Sequence, residues 1–123
     1  MKKLLVLLFS ILISFNSYGE WIEVSKTPAD DFYVDIDSIK ENNGFVYVWI
    51  LSDYIKPDSY GDLSGKVLYE TKCDVPYKFR GISFHYYKLP MGQGTVESAS
   101  LVTDWYYGSL GSAREAILNF ICN

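Results

Sequence analysis

Few side chains in this sequence have both the type and the neighbours that chemistry needs. His85 is the only histidine, and it stands beside Tyr86 and Tyr87. A transition-metal site would need further His, Cys or carboxylate ligands converging on it, and no local spacing supplies them. Asp35-x-Asp37 and Asp58-x-x-x-Asp62 offer the oxygens that calcium takes, but neither has the spacing of a calcium loop, and aspartate is an ordinary turn residue. Gly92-x-Gly94 looks like a piece of a phosphate-binding loop; such loops run straight into a helix, whereas Thr95-Val96 reads as extended. In Gly61-Asp62-Leu63-Ser64-Gly65 the serine is displaced from the centre of a nucleophile elbow. Nothing sets two carboxylates at the roughly 5 to 9 Å of glycoside hydrolysis. No residue is therefore assigned as catalytic or metal-binding, no cofactor is expected, and the chain reads as non-enzymatic.

The aromatics are the remaining signal. Tyr86, Tyr87, Trp105, Tyr106 and Tyr107 fall near the late loops. Exposed Tyr and Trp bring large contact area at little rotamer entropy, which suits a partner surface. The same residue types also pack well within sheets, and both uses stay open at this point. The five are the candidate partner surface. Cys73 and Cys122 are the only thiols. In an exported chain an even count reads as a disulfide, and two cysteines allow one intramolecular pairing. Their spacing is not C-x-x-C and no base adjoins either, so a redox pair is unsupported. Free thiols or an intermolecular bridge are the other outcomes.

Export is read from the first nineteen residues. Met1-Lys2-Lys3 is basic, Leu4 to Phe15 is apolar apart from Ser10 and Ser14, and Asn16 to Gly19 turns polar and small. That is the layout of a secretory signal peptide, residues 1–19, cleaved before Glu20. Twelve apolar residues reach about 18 Å as a helix, short of the ~30 Å hydrocarbon core. The nearest cysteine is at 73, which leaves none at the cut for a lipid anchor, and no later stretch offers the ~20 apolar residues of a membrane span. The destination is the periplasm, the outer surface or the medium. About 104 of the 123 residues then remain, one domain over 20–123. Apolar residues make up 49 % and aromatics 17 %, enough for a packed core. Without Lys2 and Lys3 the net charge falls from −4 to −6, so nucleic acid is not an expected partner.

The elements that must position these residues are mostly strands. Glu20 to Val24 alternates polar and apolar, and Phe32 to Asp35 is a short second strand after a Pro28 turn. Asp35 to Ile39 is read as a single helical turn. Asn43-Gly44 signals a hairpin. Phe45 to Tyr54 is the strongest strand: Phe45, Tyr47, Trp49 and Leu51 point one way, Val46, Val48 and Ile50 the other. With both faces apolar it is expected at the centre, covered on both sides. Val67 to Val75 and Lys78 to Tyr87 follow as a hairpin, with Gly81 a candidate bulge, and Thr95 to Trp105 supplies a last, more polar strand region. Ser112 and Glu115 have the spacing of a capping box and open the one convincing helix, whose apolar stripe is Ala113, Ala116, Ile117, Phe120 and Ile121. The expected fold class is α+β: an antiparallel sheet of about six strands with one C-terminal helix packed on a face and tied to it by the disulfide.

Ordered along the chain, Trp21, Phe32-Tyr33-Val34-Asp35, Ser38-Ile39, Val46-Tyr47-Val48-Trp49, Asp53-Tyr54, Ser64, Lys66, Cys73, Arg80, Met91-Gly92-Gln93-Gly94, Trp105, Ser112, Glu115 and Cys122 resemble the surface-adhesin protein E family of small exported bacterial proteins. The resemblance spans nearly the whole mature chain. It implies an antiparallel sheet, a C-terminal helix and a disulfide joining them, as the residues themselves indicate. It also implies an adhesin role, since the family's namesake binds host matrix and plasma proteins. None of the namesake's binding residues maps onto a position here. The family often has proline before the final helix, where this chain has Tyr107-Gly108-Ser109-Leu110-Gly111, and a looser approach to the helix is expected from that departure.

The expected function is an exported binding module, adhesin-like, with host or envelope proteins or a second copy of the chain as partner. The rival expectations are an accessory envelope protein without a dedicated ligand and, third, a small periplasmic enzyme. A binder calls for contiguous aromatic surface, an accessory domain for scattered aromatics, and an enzyme for a concave pocket with perturbed titratable groups, above all around His85.

Overall fold

The Phe45–Tyr54 segment has an apolar or aromatic side chain at nearly every position, and the rest of the chain is arranged around it. The structure is a computed structural model and describes residues 21–123; the signal segment 1–19 lies outside the described residues. The strands are β1 (Trp21–Lys26), β2 (Asp30–Asp35), β3 (Lys40–Asn42), β4 (Phe45–Tyr54), β5 (Ser64–Lys72), β6 (Lys78–Leu89), β7 (Gln93–Ala99) and β8 (Tyr106–Tyr107), followed by the helix α1 (Ala113–Cys122). Six strands form one antiparallel sheet in the order β1-β2-β4-β5-β6-β7, and the short β3 and β8 pair with β4 and β6.

β2 and β3 lie end to end along one edge of β4. β2 pairs Ile50 to Tyr54 and β3 pairs Phe45 to Tyr47. Between them a single 3-10 turn, Ile36–Ser38, is capped by the Asp35 carboxylate, which accepts the Asp37 N–H at 3.1 Å. Ser38 Oγ donates to the Asp35 carbonyl at 2.6 Å and accepts the Trp49 N–H at 3.0 Å, so a side chain fills the gap in the ladder. Asn43 and Gly44 both have positive φ, 52° and 83°, the conformation that a tight hairpin needs. In β6 the register slips between Gly81 and Ser83, leaving Ile82 as an extra residue. Gly81 leaves room there for the Phe84 ring, whose Cζ would lie 2.6 Å from an added Cβ.

α1 covers one face. Val34, Val48, Ile50 and Phe79 from four strands meet Ile117 and Leu118 of the helix, all 3 % exposed or less, with Tyr69 stacked on Phe79 at 4.4 Å. Ser112 Oγ accepts the Glu115 N–H at 3.1 Å, and the Glu115 carboxylate takes the Gly111 N–H at 3.1 Å. The buried stripe differs from the expected one: Leu118 is inside and Phe120 is 40 % exposed. The tether accounts for this. Cys122 is bonded to Cys73, one residue beyond the end of β5. Leu118 lies one turn before Cys122 on the same side, while Phe120, two residues away, faces roughly opposite. The approach to the helix is tight rather than loose: Ser112 N–H bonds the Ser109 carbonyl at 2.9 Å, and Gly108 sits so close that a Cβ there would be 2.6 Å from Glu115 Cα.

Burial also acts on titration. The Tyr69 phenol is pushed up to about 12, first by loss of solvent. Below pH 10 both folded and unfolded chains keep this proton. Between 10 and 12 the unfolded chain releases it first, so stability falls as pH rises through that window, by about 2 to 3 kcal/mol from this group. Tyr69→Phe is expected to flatten the alkaline limb of a stability-against-pH profile measured by urea unfolding.

Candidate binding surface

The face opposite α1 carries no helix among the described residues. Leu51 alone is fully buried there, beneath the turn Pro90–Gly92. That turn is pinned by polar contacts: Asp53 Oδ1 accepts the Met91 N–H at 2.9 Å, and Ser64 Oγ accepts the Gly92 N–H at 2.8 Å while donating to the Leu89 carbonyl at 2.7 Å. The central strand is therefore covered by a helix on one side and by a single turn on the other. The expected second cover is otherwise missing among the described residues, because Tyr47 and Trp49 share their face with charged neighbours that shield them partly from water.

Two clusters occupy this face. In the first, Lys66 lies across from Leu51 on one side and His85 on the other. Its ammonium stands over the rings of Trp21 at 5.2 Å and Tyr87 at 5.3 Å, within range of cation–π attraction. Trp49 packs on the His85 ring at 5.2 Å, and His85 Nδ1 shares a 2.6 Å hydrogen bond with Ser98 Oγ on β7. Trp21, Asp35, Trp49, Lys66, His85 and Tyr87 line a shallow cleft of about 280 Å³. Burial pushes the Tyr87 phenol upward. A serine bonded to a histidine is one part of a nucleophile arrangement, but among the described residues no carboxylate hydrogen-bonds the other imidazole nitrogen to orient it.

In the second cluster Glu70, with its side chain 12 % exposed, accepts from Arg80 Nε at 2.9 Å and pairs with Arg80 Nη2 at 2.7 Å through Oε1, while Oε2 accepts the Tyr47 hydroxyl at 2.8 Å. The hydrogen bond to Glu70 raises the Tyr47 phenol. Trp105 folds over this group, 4.4 Å from the Arg80 guanidinium and 4.7 Å from Lys78 Nζ, and stacks on Phe45 at 6.2 Å. Side chains of four strands and one loop thus make a band of aromatic rings separated by cations.

The five aromatics expected at a partner surface divide between places. Tyr87 and Trp105 belong to the band just described. Tyr86 alternates to the opposite side of β6 and borders a hollow of about 430 Å³ with Asp58, Tyr60, Asp62 and Glu97. Tyr106 lies under the Arg114 guanidinium of α1 at 4.3 Å, and Tyr107, 52 % exposed, is on the edge strand β8. Consecutive residues of a strand cannot share a face, which is why the Tyr-Tyr and Trp-Tyr-Tyr runs split. Trp21, Trp49, Lys66, Glu70 and Arg80 join the band without having been singled out; their signal was strand parity, legible only once the register between strands is known.

The aspartates of Asp58-x-x-x-Asp62 are used locally. Asp58 Oδ1 accepts the N–H groups of Tyr60 and Asp62, both at 2.9 Å, and buried Asp62 pairs with Lys88 at 2.9 Å. No group of three His, Cys, Asp or Glu side chains placed to hold a metal occurs among the described residues. Gly92 and Gly94 have positive φ in the turn that leads into β7, a strand.

No helix among the described residues is long and apolar enough to cross a membrane. No curated protein and no solved structure matches the chain. The model of one family, described as surface-adhesin protein E, matches residues 21–123, from the first strand through the end of the disulfide-tied helix. On that match over the whole described domain, the chain belongs to the surface-adhesin protein E family.

Proposed function

We propose that this protein is an exported, non-enzymatic binding module that holds a host or envelope protein on the face of the sheet opposite α1. The observation that carries the proposal is the band of aromatic rings and cations from Trp21 to Trp105. Aromatics and arginine are the residue types that concentrate binding energy, and here they are contiguous on the one face without a helix. Their side chains are held by stacking and ion pairs, so little conformational freedom is left to lose on association. The family match supports an adhesin-like role.

The test is surface plasmon resonance of the exported protein against immobilised matrix, plasma and envelope proteins. At least one partner is expected to bind, and Trp49→Ala with Tyr87→Ala to weaken it by about tenfold or more, in the range of central interface aromatics. Tyr60→Ala, 81 % exposed beside the 55–63 loop, is the control and leaves binding unchanged. Equal binding by the wild type and the double variant would overturn the assignment of the face. A dimer by light scattering that the double variant dissociates would give the face to a second copy instead. Export itself rests on residues 1–19: the intact mass of exported protein is expected to begin at Glu20, and a retained Met1 would refute the signal.

A further inference from the structure

The Lys66 ammonium is a fixed charge without a partner carboxylate. Among the described residues no carboxylate oxygen comes within 4.0 Å of it. It is nevertheless held in place. The Trp21 and Tyr87 rings flank it, and its stem runs against the pinned turn, with Cε 2.6 Å from where a Cβ on Gly92 would stand. A lysine whose rotamer freedom is already spent presents its charge to an anion at less entropic cost than a free surface lysine. The other cleft residues qualify what anion that is. His85 uses Nδ1 on Ser98 and keeps its second ring nitrogen. Asp35 uses Oδ1 on the Asp37 N–H and keeps Oδ2 as an acceptor. Trp21, Trp49 and Tyr87 contribute flat apolar walls.

We infer that this cleft binds the acidic sugar residue of an anionic glycan. The sugar carboxylate takes the Lys66 ammonium in a charge-assisted hydrogen bond, its apolar ring face lies on an indole or phenol wall, and its hydroxyls meet Asp35 and His85. The cleft, about 280 Å³, is at the lower end of ligand pockets and suits one ring. Asp35 disfavours a doubly charged phosphate, for which a guanidinium fork or a row of backbone N–H groups would be the better host. An acidic peptide side chain would satisfy Lys66 but has no ring face to set on the walls. The inference rests on the proposal that this face is the binding face.

The test is an NMR titration of the exported protein, following the indole N–H signals of Trp21, Trp49 and Trp105. The probes are a tetrasaccharide of alternating glucuronate and N-acetylglucosamine, the neutral N-acetylglucosamine tetramer, and tetraglutamate. The acidic tetrasaccharide is expected to move the Trp21 and Trp49 signals and leave Trp105 in place. The neutral tetramer is expected to bind about tenfold more weakly or worse, Lys66→Met to lose a similar factor, and Lys66→Arg to retain most of the affinity. No shift with the acidic tetrasaccharide, equal affinity for the neutral one, or an unaffected Lys66→Met that is folded by its NMR dispersion would each overturn the inference. Tetraglutamate binding as well as the tetrasaccharide would overturn it in favour of acidic peptides. If the saccharide fails while Trp49→Ala with Tyr87→Ala still weakens a protein partner, the glycan assignment falls and the binding face stands; if neither responds, both fall.

Discussion

Replacing Cys73 and Cys122 together with serine is expected to lower the unfolding free energy by about 4 kcal/mol, the chain-entropy value for a loop of roughly 50 residues. For a domain of this size that corresponds to a fall in melting temperature of roughly 15 to 30 °C. The two residues are 49 apart in sequence, and the bond joins the end of α1 to the chain just past β5. Ten residues of helix do not persist alone in water. Without the bond α1 is held by the Ile117, Leu118 and Ile121 contacts and by the hydrogen bond from the Tyr77 hydroxyl to Asn123 at 3.1 Å. Thermal unfolding followed by circular dichroism, with and without reductant, measures the effect. A variant melting within a few degrees of the wild type would show that docking of the helix needs no tether.

Phe79→Ala is expected to cost about 3 to 5 kcal/mol, the range for removing a buried aromatic ring. Phe79 is 2 % exposed, stacks on Tyr69, and stands among the residues that receive Ile117 and Leu118. β6 is a paired strand with β5 along one edge and β8 along the other at this point, so the backbone cannot close around the lost ring. Urea unfolding is expected to show a lowered midpoint at an unchanged slope. Leu110→Ser is the contrast. Leu110 is 95 % exposed, and a change within about 0.5 kcal/mol is expected.

Much of this architecture was legible because it depends on local pattern. The alternation of Phe45 to Tyr54 put Val48 and Ile50 on one face and Trp49 and Leu51 on the other, Asn43-Gly44 marked its hairpin, and Ser112 with Glu115 marked where the helix begins. What stayed hidden depends on register. Ser38 closing the ladder at Trp49, and Lys66 passing between Trp21 and Tyr87, need distances across strands that no single segment encodes. The helix stripe was misplaced by one position because periodicity cannot tell which side a remote covalent bond will turn inward. The aromatic runs 86–87 and 105–107 drew attention as clusters in sequence, but a strand sends neighbours to opposite faces, and the spatial cluster is made from residues two apart and strands apart.

The junction between β2 and β3 bears on how this face can move. Elsewhere along that edge of β4 the amides are secured by a neighbouring strand, but the Trp49 N–H is secured only by the hydroxyl of Ser38. A side-chain hydroxyl is released by rotation about one bond, whereas a ladder hydrogen bond is released only by parting two strands. The sheet therefore has a hinge line at the residue whose indole forms a wall of the cleft. Local opening there is cheaper than anywhere else on the strand, so the Trp49 amide exchanges with solvent ahead of its neighbours. The face can then adjust its curvature to a partner at that point while the helix-covered side keeps its packing.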